Sequence, residues 1–365
     1  MKKFLFPILS LALVGAGCTN DEVSLEQNES DNQLQPLSIQ AAVLGSEPVL
    51  PETRAIVYGS AFPNASEIGV HVAKGAADDT NGNKGVPGTP YSTTYSTNQM
   101  FQFDGSVWTP NADYHLSSDK GTVYAYYPFD PDSHFDTAGT ATVPVSIQPT
   151  GDITVSSGSA ATDNMNNAGA ITTPAANESD FMYYAPGATR AIVNNRAHNA
   201  ILTMQHALAQ ISFRIIKASN YPGVGSFTGY EIFDTDAGTS LVITGATSST
   251  MSIVDGSLNL DTPVKGTISR NIIGYQLGTE LSTATIVSNL VFPVPAVADG
   301  ELSARFHIDG HDYITTLPVT AGTSDAWLAG KNYLYSVTLN GTGIEIDAVS
   351  ITDWITVDGG DIAIE

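Results

Sequence analysis

Short runs in which apolar side chains recur at every second position fill this chain from Leu37 onward, and no stretch after residue 17 has the period of a three-turn helix. A period of two puts alternate side chains on opposite faces of a strand, so each run can rest one face on a core. Ile68, Val70 and Val72 share a face in this way, which leaves His71 pointing to the exposed side. Ala209, Ile211, Phe213 and Ile215 alternate with Gln210, Ser212 and Arg214 and predict a half-buried strand. Tyr333, Tyr335, Val337 and Leu339 repeat the pattern. Asp104-Gly105, Asp255-Gly256 and Asp309-Gly310 each stand between two such runs, and Asp-Gly suits a tight hairpin turn. The chain is therefore read as all-β. Its 365 residues suit about two domains of ~150 residues, and hairpins in two blocks predict two β-sandwiches in tandem.

The first sandwich is placed at 55–195 and the second at 196–365. Residues 130–180 are poor in large apolar side chains and read as a long excursion from the first sandwich. Residues 1–17 read as a signal peptide: Lys2 and Lys3 precede an apolar run from Phe4 to Val14, too short to span a bilayer comfortably. Gly15-Ala16-Gly17 then leads into Cys18, the pattern of a bacterial lipoprotein cleavage site, so Cys18 is the expected acylated residue. Residues 18–36, rich in Asn, Gln, Asp, Glu and Ser, read as a flexible tether.

Residues 37–54 form a separate unit. Leu37, Ile39, Ala41 and Val43 alternate along a short strand, a loop with two prolines follows, and then Arg54-Ala55. A lone basic residue in a loop is a plausible proteolytic release point, since nicking concentrates in exposed loops. The C-terminus repeats the motif, Val349-Ser350-Ile351-Thr352 matching Leu37-Ser38-Ile39-Gln40. Ile344, Ile346 and Ala348 are apolar on even positions, whereas Val349, Ile351, Ile355 and Val357 are apolar on odd ones, with Trp354 opposed. A one-residue slip of this kind requires a bulge or bend. The expectation is that the C-terminal strand of one subunit, with Val349, Ile351, Trp354, Ile355 and Val357 as its inserting residues, replaces the N-terminal strand cut from the next.

Composition restricts the partners. A net charge of −23, from 14 basic and 37 acidic residues, disfavours nucleic acid and anionic membrane surfaces. Membrane association is expected only through the lipid on Cys18. The single cysteine excludes an intramolecular disulfide and a multi-cysteine zinc site. No Gly-x-Ser-x-Gly, His-Glu-x-x-His or phosphate-binding loop is present, and the carboxylates are too scattered to nominate an acid/base pair. Neither catalysis nor a cofactor or metal is expected. Asp130, Asp132, His134 and Asp136 are spaced like a calcium loop, but Phe135 occupies the place of the required glycine. Tyr91, Tyr95, Tyr114, Tyr124 and Tyr126 serve either as packing side chains or as a glycan platform, with packing the commoner use.

Taken together, the motifs resemble the fimbrillin family, the type V pilus subunits of Gram-negative bacteria. The resemblance lies in the signal ending at Cys18, Thr53-Arg54-Ala55, Ile68-Gly69-Val70, Tyr124-Ala125-Tyr126-Tyr127-Pro128, the segment His206 to Phe213, Trp327-x-x-Gly330-Lys331-x-Tyr333-x-Tyr335 and Ile351-x-x-Trp354. It implies transthyretin-like sandwiches, an outer-membrane lipoprotein precursor, cleavage after Arg54 by an arginine-specific protease, and polymerisation with other pilin subunits into an extracellular adhesive fimbrium. The further partner expected is a host or bacterial surface ligand, and the alternative is a monomeric surface lipoprotein that binds a glycan or a host protein.

Overall fold

The computed structural model describes residues 33–43, 62–78, 84–137, 141–163, 167–173, 178–186, 189–235, 241–245, 248–295, 300–318, 325–353 and 362–363. Among them the chain is all-β, and the only helical turn is Leu281–Thr283. Three sheets hold most of the strands. The first runs, in spatial order, through Ser38–Val43, Asn199–His206, Met182–Tyr184, Gly121–Tyr127, Glu67–Lys74, Gln99–Phe103 and Trp108–Pro110, with Ile192–Val193 beside Gly121–Tyr127. A six-stranded sheet runs through Asn167–Thr173, Thr150–Asp163, Ile268–Gln276, Ser226–Asp234, Leu302–Ile308 and His311–Thr316. A five-stranded sheet runs through Ile286–Val291, Ala209–Lys217, Lys331–Asn340, Gly343–Asp353 and Ile362–Ala363.

The six- and five-stranded sheets pack around one core. Phe213 of the five-stranded sheet meets Phe306 and Tyr230 of the other edge-on, each with ring centroids 5.1 Å apart. Edge-to-face pairs suit the aromatic quadrupole. Within this core Arg270 Nη2 donates to Glu178 Oε1 at 2.9 Å, with both side chains fully buried. The same Oε1 accepts from the Leu290 amide at 2.7 Å, and the Tyr230 hydroxyl donates to Asn289 Oδ1 at 3.0 Å. A buried charge pair persists only when hydrogen bonds supplement the ion contact, which Leu290 provides.

The excursion expected at 130–180 is corrected: it supplies strands to the second half. Thr142–Pro144 pairs with Ser249–Ser252, and Thr150–Asp163 runs parallel to Ile268–Gln276. Val143, Ile153 and Val155 enter the second core, so a few well-placed β-branched residues suffice where the average composition is polar. Conversely, Asn199–His206 belongs to the first sheet, so sheet membership does not follow the expected division at 195/196.

His71 is not exposed. It is 1% accessible, its ring lies 5.2 Å from that of Phe135, and its Nδ1 lies 2.8 Å from the Thr97 carbonyl. Both faces of the central strands are covered, because Ala73, Tyr124, Tyr126 and Phe135 belong to the core of the second half. Burial pulls the imidazole down to about 4. Gln210 and Ser212 are likewise buried, so Ala209–Lys217 is not half-buried at its start. Ser212 Oγ lies 2.8 Å from Ser288 Oγ and donates to Asn332 Oδ1 at 2.8 Å, a buried polar strip on the face of the strand opposite Ile211 and Phe213.

The hairpin turns differ. Ile308 pairs with His311, leaving Asp309 and Gly310 as a two-residue turn with φ of 52° and 75°. Positive φ at both positions suits the right-handed twist of the strands. Phe103 instead pairs with Trp108, so the Asp104 turn is longer than the expected two residues. Asp104 Oδ1 accepts from the Ser106 and Val107 amides, each at 2.8 Å, and this side-chain cap stabilises the wider loop.

Candidate functional site

The N-terminal strand closes a seam. Leu37, Ile39 and Val43 are 4%, 3% and 2% exposed, Ala41 is half-buried, and Ser38, Gln40 and Ala42 face outward. The alternation of the sequence thus becomes one apolar face. Ser38–Val43 runs parallel to Asn199–Met204, from Ser38 opposite Asn199 to Val43 opposite Met204. Before it, Gln35–Pro36 pairs with His115–Leu116, and the Leu37 amide donates to the Tyr114 carbonyl at 2.8 Å.

The other end of the first sheet curls round to meet the strand. Ser38–Val43 contacts Trp108–Pro110, the last strand in the spatial order, and Trp108 Nε1 donates to the Ala41 carbonyl at 3.2 Å. Leu37, Ile39 and Val43 therefore fill a groove lined by Trp108, Leu116, Ala200, Leu202 and Met204. Trp108 was not singled out by the sequence for this role. The only hint was a tryptophan beginning the return strand of a hairpin, which says nothing about its partner.

At the C-terminus Val349 and Ile351 lie in Gly343–Asp353, opposite Tyr335 and Tyr333. They are strand residues of the chain's own sheet, not a free tail. The pairing runs from Gly343–Asn340 to Asp353–Lys331, with its register shift between Ser336 and Val337. Asp347 is the extra residue, and the Thr338 hydroxyl donates to its carboxylate. The bulge required by the change of phase is thus present. Ile362–Ala363 returns to pair with Val349 and Ala348. Cys18, Arg54, Ala55, Trp354, Ile355 and Val357 lie outside the described residues.

Two further Arg-Ala bonds have defined surroundings. Arg190 lies over the Tyr124 ring, 4.3 Å from its centroid, and donates to the carbonyls of Tyr184 and Val254. It thereby ties the first sheet to the turn after Ser249–Ser252. Arg196 is exposed, but its amide and that of Ala197 both donate to Asn194 Oδ1 at 2.9 Å. Residues 194–197 form a closed turn, not the extended backbone that a protease cleft accepts.

The tyrosine platform does not form. Tyr91, Tyr114, Tyr124 and Tyr126 are buried, and the Tyr95 ring packs on Tyr114 with centroids 4.9 Å apart and planes tilted by 37°. Asp130 is a turn residue whose carboxylate accepts from Ser133 Oγ at 2.7 Å and from the Asp132 amide. Among the described residues no group of three His, Cys, Asp or Glu side chains could hold a metal ion.

A family profile described as fimbrillin-like matches residues 53–354. No curated protein matches the sequence. Among solved structures, a protein of Bacteroides uniformis assigned to cell adhesion aligns over 87% of this chain and 99% of its own, with 14% identity and a TM-score of 0.52. Another, from Bacteroides ovatus, aligns over 89% and 100% with 15% identity and a TM-score of 0.54. At these identities the likeness is one of fold.

Proposed function

The chain belongs to the fimbrillin-like family, and from that premise we propose that it is a structural subunit of a cell-surface fimbrium, assembled by exchange of the N-terminal strand. The single observation that carries this reading is the seam: a short edge strand fills an apolar groove between the two ends of a curled sheet. Removing it would expose an unpaired backbone edge along Asn199–His206 and the side chains around Trp108. Such an edge is a template for a strand from another chain. Refilling the places of Leu37, Ile39 and Val43 contributes ~1.5–3 kcal/mol per side chain before ordering costs.

In this reading Cys18 carries the lipid that holds the precursor at the outer membrane, and cleavage between Arg54 and Ala55 removes both the anchor and the strand. The donor comes from the C-terminal segment. Val349 and Ile351 are committed to the five-stranded sheet, so the inserting residues are the ones that follow, including Trp354, Ile355 and Val357. Donor and acceptor surfaces differ, so the contact is head-to-tail and yields an open filament.

The test is to treat purified precursor with an arginine-specific protease. Ladders of oligomers that vanish in Arg54→Ala and in a chain ending at Asp353 are the expected result. A cleaved chain that stays monomeric alone and with other pilin subunits refutes strand exchange.

A further inference from the structure

The end of the second half remote from the seam carries an open cleft of about 360 Å³. Lys331–Asn340 begins where the Gly330 amide donates to the carbonyl of Leu208, two residues past the first sheet's Asn199–His206, and ends at this cleft. Ten strand residues put the two about 30 Å apart. Tyr221, Asp309, His311, Tyr313, Asn340 and Thr342 line it, from three separate loops and hairpin ends.

The walls are held in place. Asp309 Oδ2 accepts from the Tyr221 hydroxyl at 2.9 Å and the Gly225 amide at 2.8 Å, and Oδ1 accepts from the Ser226 amide at 2.8 Å. The backbone amides of Gly225 and Ser226 hold this carboxyl below its usual range, and a carboxylate with three donors keeps one lone pair for a further one. A Cβ at Gly223 would lie 2.3 Å from Asp309 Oδ2 and 2.6 Å from the Tyr221 ring, so any larger residue would displace one of them. Tyr221 and Tyr313 rest on the core, with hydroxyls 3.4 Å apart. Asn340 Oδ1 takes the Thr342 amide and hydroxyl and the Gly343 amide, which fixes the plane of its carboxamide and leaves the NH₂ to donate elsewhere. His311 is exposed.

We propose that this cleft is a subsite for the terminal residue of a neutral glycan. A pyranose presents an apolar C–H face and directional hydroxyls. The cleft offers two anchored aromatic rings beside a carboxylate acceptor, an amide donor and an imidazole. No Lys or Arg lines it, so its chemistry disfavours a phosphate or an acidic sugar. Its volume suits a single sugar unit, at the low end of small-ligand sites. The inference does not depend on polymerisation.

The experiment uses the uncleaved Arg54→Ala chain, which keeps it separate from any failure of assembly. The chain is applied to an array of glycans ending in galactose, glucose, mannose, N-acetylglucosamine or fucose, with sialylated and glucuronic-acid-terminated glycans beside them. The methyl glycoside of the strongest binder is then titrated by NMR. Saturable binding that falls roughly tenfold or more in both Tyr313→Ala and His311→Ala is expected. If Tyr313→Ala fails to fold, the exposed His311→Ala alone decides. No binding to any neutral glycan, binding equal in the variants, or preference for an acidic glycan overturns the proposal.

Discussion

The two terminal strands share a sequence pattern but not a structural position. Ser38–Val43 has six residues, pairs with one neighbour in parallel, and lies at an edge. Gly343–Asp353 has eleven, pairs antiparallel along the whole of Lys331–Asn340, and has Ile362–Ala363 on its other side. Parallel ladders are slightly weaker per residue, and an edge strand loses only one row of hydrogen bonds when it leaves. On these grounds the first strand is expected to depart without dismantling its sheet and the second to hold.

The sharpest way to break this contrast is to bury a charge in each strand. Val349→Asp puts a carboxylate against the core residue Tyr335, and it is expected to cost at least about 4 kcal/mol and abolish the cooperative melt. Ile39→Asp carries a similar local cost, but the chain can avoid it by releasing the strand. Hydrogen exchange should then show lost protection in 38–43 and 199–204 only. Equal global unfolding in the two variants would refute the contrast.

Acid tests the first half separately. Below an imidazole's ordinary pKa of about 6.5 the unfolded chain takes up a proton that folded His71 refuses until about pH 4. Stability should fall as pH drops through that window, by up to about 3 kcal/mol, and level off beneath it. His71→Gln should flatten this part of the profile in a urea-melt series.

Arg190→Ala removes the contact over Tyr124 and the bonds to Tyr184 and Val254, at an expected cost of about 1–2 kcal/mol. Limited digestion of the folded chain should leave the bonds after Arg190 and Arg196 intact. Cleavage there at the rate of a denatured control would show that neither is shielded. The smallest effect is expected from Trp108→Phe, which keeps most of the ring and loses the bond to the Ala41 carbonyl. A loss of about 1 kcal/mol should appear as faster exchange in 38–43 and not in 343–353.

Local patterning made the fold class legible. The strands at 67–74, 209–217 and 331–340, the Asp309-Gly310 turn and the bulge near Asp347 all follow from which side chains alternate and where the phase slips. The strand at 38–43 was legible for the same reason. His71, Gln210 and Ser212 were misread because alternation reports one apolar face and is silent about what covers the other. Thr150–Asp163 was misread because composition averaged over fifty residues hides a few inward-facing β-branched ones.

By itself, then, the sequence determined an all-β chain with an alternating segment at each end, because side-chain period is a local property. Tertiary structure alone decided that the first segment lies across the seam of a curled sheet, beneath Trp108. It also decided that Val349 and Ile351 are held within their own sheet. Those outcomes depend on which distant strands meet, and pairing between strands far apart in the chain leaves no mark in the period of either one.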